Sequence, residues 1–363
     1  SYLNIIIQVK TMNLEEAKKA LDKVIDKARV HLYKPIQIAE ILYRDRVEQD
    51  INLLDIATYR NQSKKWRDII CIQFLGRTST SSARYQDDIF NENAIPPTIL
   101  EVLGKENRNT NGGVEAYIYR KFLQRFSQMS TGLDYCITHD KSNFELNEFL
   151  ASFWREPGLR RSIDKIYEII VYALFSALVE ALEVSIEISM NFEQIDILRE
   201  FEDFAKSVIQ LTPEQTTVKL KARINRVGVT NAADRGLDMW ANFGLAIQIK
   251  HLSLTEELAE NIVSSVSADR IVIVCKAAEQ KIIVSLLNQM GWKSKIQSIV
   301  TEVDLLNWYE KALRGKFSNS LGDTVLQKLA DEIQLEFPTT DKREFLQFIE
   351  KRGYTKLVNN VWL

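Results

Sequence analysis

The sequence predicts a mixed α/β protein, with a central mixed sheet flanked by helices and a largely helical N-terminal region. Three observations carry that expectation. Residues 13–75 place apolar side chains at helical spacing in three successive stretches. Residues 234–250 alternate as two short strands about a turn. After Lys250 the order is helix, strand, helix, strand, and the strand Arg270-Ile-Val-Ile-Val-Cys275 is a continuous apolar run of the kind covered on both faces.

With 363 residues, 45% hydrophobic and 26% charged, the chain has the composition of a soluble globular protein and room for two domains or one elaborated one. A net charge of −2 gives no global basic field. Nucleic acid stays open as a partner, because an acidic active site offsets a basic contact surface and only local charge counts. Cys71, Cys136 and Cys275 are scattered without a CxxC, and His31, His139 and His251 are dispersed. A zinc site, a disulfide framework and a His-based triad are therefore not supported, and a reducing cytoplasm fits. No G-x-G-x-x-G or P-loop is present, which removes nucleotide-dependent chemistry. The apolar residues 1–9 are too short and lack the basic flank of a signal peptide. No stretch reads as a clean membrane span.

In order, residues 1–11 read as an extension, either translated or an ordering strand, and Asn13-Leu-Glu-Glu16 as a capped helix start. Helices follow over 13–30, 35–48 and 62–75. Gly76-Arg-Thr-Ser-Thr-Ser-Ser-Ala-Arg84, after Lys64-Lys65-Trp66-Arg67, mixes arginines with hydroxyls. Arg pairs bidentately with guanine and hydroxyls bind phosphate, so this stretch is a candidate DNA-contact loop or a solvated turn. Residues 105–113 read as a polar loop, 114–126 and 144–154 as helices. Ile163 to Leu182 is too apolar for a surface helix, and Glu168 sits in its densest apolar run, where a carboxylate needs a partner or a metal. Val184–Ser189 reads as a strand and 193–210 as an amphipathic helix. Val218–Gly228 reads as one basic-faced strand whose Lys219, Lys221, Arg223 and Arg226 face phosphate or water. Ser253-Leu-Thr-Glu256 and Thr301-Glu-Val-Asp304 read as capping boxes. A helix over Ile282–Met290 and a strand over Lys295–Val300 complete the alternation.

The chemistry is concentrated in the hairpin. A three-residue loop Asn242-Phe243-Gly244, with Gly244 free to take positive φ, pairs Ala241 with Leu245 and Asp238 with Gln248. Opposed residues have Cβ atoms about 4.5–5.5 Å apart, so Asp238, Gln248 and Lys250 converge on one face while Leu237, Met239, Ala241, Ile247 and Ile249 share the other. A carboxylate, an amide oxygen and an ammonium suit a metal-dependent phosphodiesterase: Mg²⁺ takes oxygen ligands, and a Lys stabilises developing negative charge. Asp-x9-Gln-x-Lys resembles the PD-(D/E)xK nuclease signature. Leu237 stands in place of Pro, and Gln248 in place of an acid, which leaves the site less negative and weaker for metal.

Longer stretches resemble the HaeII-type restriction endonucleases. They are Val30–Tyr43, Gly76–Arg84, Arg226–Gly244, Gln248–Ser253 and Ser267–Lys276, and the likeness extends over nearly everything from Met12. This resemblance implies a restriction-endonuclease-like nuclease core. It implies a type II enzyme cutting double-stranded DNA with Mg²⁺ at a GC-rich palindrome of the form RGCGCY, a homodimer, and a methyltransferase as functional partner. Asp238, Gln248 and Lys250 fall on the family motif. The metal is then expected on Asp238, the Ile249 carbonyl and Gln248, with Glu168 as the helix carboxylate that nucleases of this class bring to the site. Arg77, Ser79, Thr80, Ser81 and Arg84, with Arg235 ahead of the hairpin, are the candidate DNA contacts. The corresponding division is 12–158 helical with DNA-contact loops, 159–314 nuclease core and 315–363 C-terminal helical extension. A structure-specific or repair nuclease of the same fold, or a catalytically decayed DNA-binding protein, are the alternatives; Gln248 is the feature that favours the latter.

Overall fold

Asn13 opens the fold: its side chain accepts from the Glu16 N–H and Glu16 reaches back to the Asn13 N–H, the reciprocal cap expected there. The computed structural model describes residues 13–28, 32–78, 89–155, 162–227, 237–266, 268–279, 281–282, 285, 288, 295–337, 342–356 and 362. The extension 1–11 and most of the helix expected over Ile282–Met290 lie outside them.

Helices α1 (Leu14–Lys27), α2 (Tyr33–Val47), α3 (Gln62–Leu75), α4 (Pro97–Asn109) and the first half of α5 (Gly113–Thr138) enclose one apolar core. Pro97 stands at the first helical position of α4, where its missing N–H costs nothing. The polar run 105–113 is therefore mostly helix rather than loop. Asn107 is buried and donates to the Leu42 carbonyl and the Glu115 carboxylate. Helix α5 spans both cores of the molecule: Tyr119 and Phe122 belong to the helical one, Leu133 and Cys136 to the one beneath the sheet. Gly132 is where α6 (Leu146–Arg155) crosses closely, since a Cβ there would lie 2.5 Å from the Phe153 ring.

Helix α7 (Ile163–Ala181) is the buried core helix its composition predicts. Strand β1 (Ser185–Ser189), the short helix α8 (Ile195–Glu200) and strand β2 (Thr217–Lys221) then form a separate antiparallel ribbon. The amphipathic helix expected over 193–210 is broken: a turn Phe192–Gln194 precedes α8, Phe201 leaves helical geometry at ψ 36°, and Ala205–Ile209 winds as a π-turn. Val218–Gly228 is not one strand either. β2 pairs with β1, whereas β3 (Ile224–Arg226) pairs with the hairpin, and the chain changes sheets at Ala222-Arg223. Asn242 holds that crossing, accepting from the Arg223 N–H at 2.8 Å and donating to the Lys221 carbonyl at 3.0 Å.

The main sheet has the order β3-β4-β5-β6-β7, with β4 (Met239–Ala241), β5 (Leu245–Leu254), β6 (Arg270–Ala278) and β7 (Ile296–Thr301). β3, β4 and β5 run antiparallel; β5, β6 and β7 run parallel. Helix α9 (Glu256–Ser265) joins β5 to β6 and packs with Ala246, Ile271 and Ile273 on one face. Its cap is Thr255, which accepts from the Leu258 N–H; β5 runs on to Leu254, so Ser253 is strand rather than cap. On the other face, Met239, Ile247, Ile249, Val272 and Val274 pack against α7, α10 (Glu302–Arg314) and α11 (Ser318–Glu336). The Thr301–Asp304 capping box starts α10 as expected. The C-terminal segment divides between the cores: α11 lies against α7, while Phe345 of α12 (Lys342–Lys351) and Trp362 sit in the helical N-terminal core.

Candidate active site

The hairpin register is the expected one. Ala241 opposes Leu245 and Met239 opposes Ile247, across a loop closed by the Gly244 N–H on the Ala241 carbonyl at 3.0 Å with Gly244 at φ +83°. One step further out, β4 has ended and Asp238 turns its carboxylate onto β5. Its Oδ2 accepts from Gln248 Nε2 at 2.6 Å and from the Ile249 N–H at 2.7 Å. Gln248 is 2% exposed, and its other amide atom, Oε1, is buried with no donor among the described residues. A buried amide oxygen without a donor is rare and costly. Here it lies beside a carboxylate.

Burial pushes the Asp238 carboxyl up, while the Ile249 N–H and then the Lys250 and Lys165 ammonium groups hold it down. Lys250 is half-buried, and among the described residues no hydrogen bond or ion pair engages its ammonium. It is a cation close enough to act on Asp238 and free to meet another anion.

Glu168 is buried on α7 and within electrostatic reach of Asp238. Burial pushes its carboxyl up to about 7, and the charge of Asp238 adds to that rise against the pull of Lys165 and Arg226. Lys165, one turn earlier, binds Glu168 at 2.6 Å and was not singled out by sequence. The spacing i, i+3 on one helix is its only signal.

Arg226 is a correction. It faces neither phosphate nor water; its side chain is 4% exposed and lies 2.8 Å from Glu332, 3.0 Å from Glu336 and 4.0 Å from Glu168. Arg226 opposes Met239 in the register, so this buried network braces the hairpin against α11 beside Asp238. Arg67 is likewise internal, bound to Asp68 and Gln37. Lys219, Lys221 and Arg223 are exposed. Arg77 donates to the Glu336 carbonyl at the end of α11, so Glu336 is held through its backbone by Arg77 and through its carboxylate by Arg226. Ser79, Thr80, Ser81, Arg84 and Arg235 lie outside the described residues.

Among the described residues, no group of three or more His, Cys, Asp or Glu side chains is placed to hold a metal ion. The groups gathered here are instead one carboxylate, one amide and the Ile249 N–H. The three cysteines are buried and unpaired, and no described helix is long and apolar enough to cross a membrane.

A family model described as HaeII restriction endonuclease matches residues 17–354. The type II restriction enzyme HaeII of Haemophilus aegyptius is 65% identical over 347 residues, which cover 96% of this chain and 99% of that protein. The type II restriction enzyme NgoBI of Neisseria gonorrhoeae is 60% identical over 345 residues, covering 95% and 98% respectively. No solved structure matches the chain.

Proposed function

This chain belongs to the HaeII restriction endonuclease family and is a type II restriction endonuclease, and from that premise we propose that it hydrolyses double-stranded DNA with Mg²⁺ at a GC-rich palindrome of the form RGCGCY. The observation that carries the metal reading is the donorless Oε1 of Gln248 beside Asp238. A hard cation supplies what that oxygen lacks, and Mg²⁺ is characteristically bound by one or two carboxylates with further oxygens from neutral groups and water. Asp238 and Gln248, with the Ile249 carbonyl, would hold it. Bound there, a divalent cation polarises the scissile phosphate and lowers the pKa of water.

The remaining residues prepare the site. The Ile249 N–H and the Gln248 amide fix the Asp238 carboxylate in one orientation. Lys250 brings a compact positive charge to the phosphate as negative charge develops on it. Glu168 keeps its proton up to about pH 7 in the metal-free protein, and its ionised form adds the second negative charge that Gln248 does not provide. Residues 159–314 are the nuclease core. In the region 12–158, Ser79, Thr80, Ser81 and Arg84 are the proposed DNA contacts, with Arg77 beside them in sequence held at the end of α11, and Arg235 is the proposed contact ahead of the hairpin. A homodimer supplies one site to each strand of the palindrome, because a two-fold axis in the protein matches that of the DNA. The functional partner is a methyltransferase that modifies the same site.

Plasmid digestion tests this reading. With Mg²⁺ the products are discrete fragments whose ends map to RGCGCY, and with EDTA there is no cleavage. Structure-dependent nicks would point to a repair nuclease, and no cleavage under any divalent metal to a decayed DNA-binding protein.

A further inference from the structure

We propose that the helical stripe Ile197, Phe201, Phe204 and Val208 is the surface on which two copies of this chain meet. The proposal rests on the reading above that a palindrome is cut on both strands, and it names the face that reading leaves open. All four lie on the segment after β1, which leaves helical geometry at Phe201 and winds as a π-turn over Ala205–Ile209. With Phe192 they are between 56% and 70% exposed. The segment is nonetheless anchored: Leu198, Ala205 and Leu211 are buried against Met190, Ile195 and Val218 of the ribbon. The stripe is thus the outer face of a packed element.

Its size fits a second copy. Phe201 and Phe204 of the stripe with the neighbouring Phe192, at least ~150 Å² each and more than half exposed, contribute about 250–400 Å². With Ile197 and Val208 the stripe approaches or exceeds the ~300–600 Å² of the largest patch on a typical monomer, and supplies much of the ~800 Å² that each partner gives to a standard interface. Charge favours protein over DNA. Glu193, Asp196, Glu200, Glu202 and Asp203 outnumber Arg199, itself paired with Asp196, in the N-terminal half and repel phosphate, whereas Lys206 lies in the C-terminal half. In an isologous pair with the two segments antiparallel, the acidic half of each lies over the Lys206 end of the other. The ribbon is also tied to the catalytic hairpin through Asn242, so a partner seated here braces the hairpin that Asp238 precedes.

Sedimentation of the full chain at micromolar concentration, free and on a duplex carrying its site, tests the proposal. The wild type is expected at twice 41.9 kDa. Phe201→Ser with Phe204→Ser is expected to weaken self-association by about 100-fold, the loss of two aromatic anchors, with an unchanged circular dichroism spectrum. Val208→Glu, at the far end of the stripe, serves as a second variant should the double one not fold. Phe317→Ser, on an exposed side chain of the α10–α11 connection, is expected to leave the mass unchanged. A wild type with the mass of one chain both free and on DNA overturns dimer and surface alike. A wild-type dimer whose stripe variants associate as tightly overturns the surface and leaves the dimer standing. Variants that stay dimeric but lose the duplex would make the stripe a DNA wedge and overturn the proposal.

Discussion

Replacing Gln248 by Glu restores the acid that the wider nuclease signature carries, and the structure predicts that it harms the protein until metal is added. Gln248 Nε2 donates to Asp238 Oδ2 at 2.6 Å in a site that is almost fully buried. In Gln248→Glu a second carboxylate oxygen takes the donor's place. Two unit charges at about 4 Å repel by about 4 kcal/mol at an effective dielectric of ~20. The alternative is for the pair to keep a proton. Holding an acid of ordinary pKa near 4.3 protonated at pH 7.5 costs about 1.36 kcal/mol per unit over roughly three units, again about 4 kcal/mol. Relaxation lowers either figure, leaving a loss of about 2–4 kcal/mol in EDTA. At about 2 °C per kcal/mol, the melting temperature should fall by roughly 4–8 °C at pH 7.5. The variant's carboxyl has a folded pKa above its unfolded one, so the deficit is small near pH 4.5 and grows as pH rises. Mg²⁺ turns both oxygens into ligands and should close the gap, with tighter metal binding than in the wild type. The measurement is thermal unfolding of both proteins in EDTA and in Mg²⁺ at pH 5 and 7.5. Equal melting temperatures in EDTA at pH 7.5, or a deficit that Mg²⁺ does not recover, would refute this account of the pair.

Three further outcomes follow from the same geometry. Lys250→Ala should lower the single-turnover cleavage rate by about 10²–10³, the usual loss for a group acting on transition-state charge; Lys250→Arg should recover little of it, because a planar fork replaces a compact ammonium poorly. Arg226→Met leaves the buried Glu336 and the half-buried Glu332 without their cation and should destabilise the protein by about 3 kcal/mol, read by urea unfolding. Because the Glu168 carboxyl is raised to about 7 in the folded state, its contribution to the metal-free protein is full below pH 4.5 and is lost as pH rises through 7; Glu168→Gln should flatten that part of the stability-versus-pH curve.

What the sequence disclosed was mostly local. The hairpin register follows from a two-residue period and a glycine, the Asn13 and Thr301 caps from side chains three residues apart, and the burial of Ile163–Ala181 from composition. Those features hold whatever the rest of the chain does. Some failures are local, such as the break of the 193–210 helix at Phe201 and the cap at Thr255, and the others involve a partner distant in sequence. Arg226 looks like one more basic residue on an alternating strand until α11, more than a hundred positions later, brings Glu332 and Glu336 to it. The strand over 218–228 divides because two different sheets compete for it, with Asn242 deciding where. Likewise, that Asp238 is held by both Gln248 and the Ile249 backbone, leaving Oε1 without a donor, depends on β4 starting only at Met239, one residue after Asp238. Alternation alone does not reveal that start.

The central claim, that Asp238 anchors the metal at which DNA is cut, is tested most directly by Asp238→Ala. Cleavage and duplex binding should be measured in the same preparation, under single-turnover conditions with Mg²⁺. Binding rests mainly on phosphate contacts away from this carboxylate and should be largely kept. The account predicts that cleavage is abolished while the duplex is still bound; cleavage at the wild-type rate would contradict it.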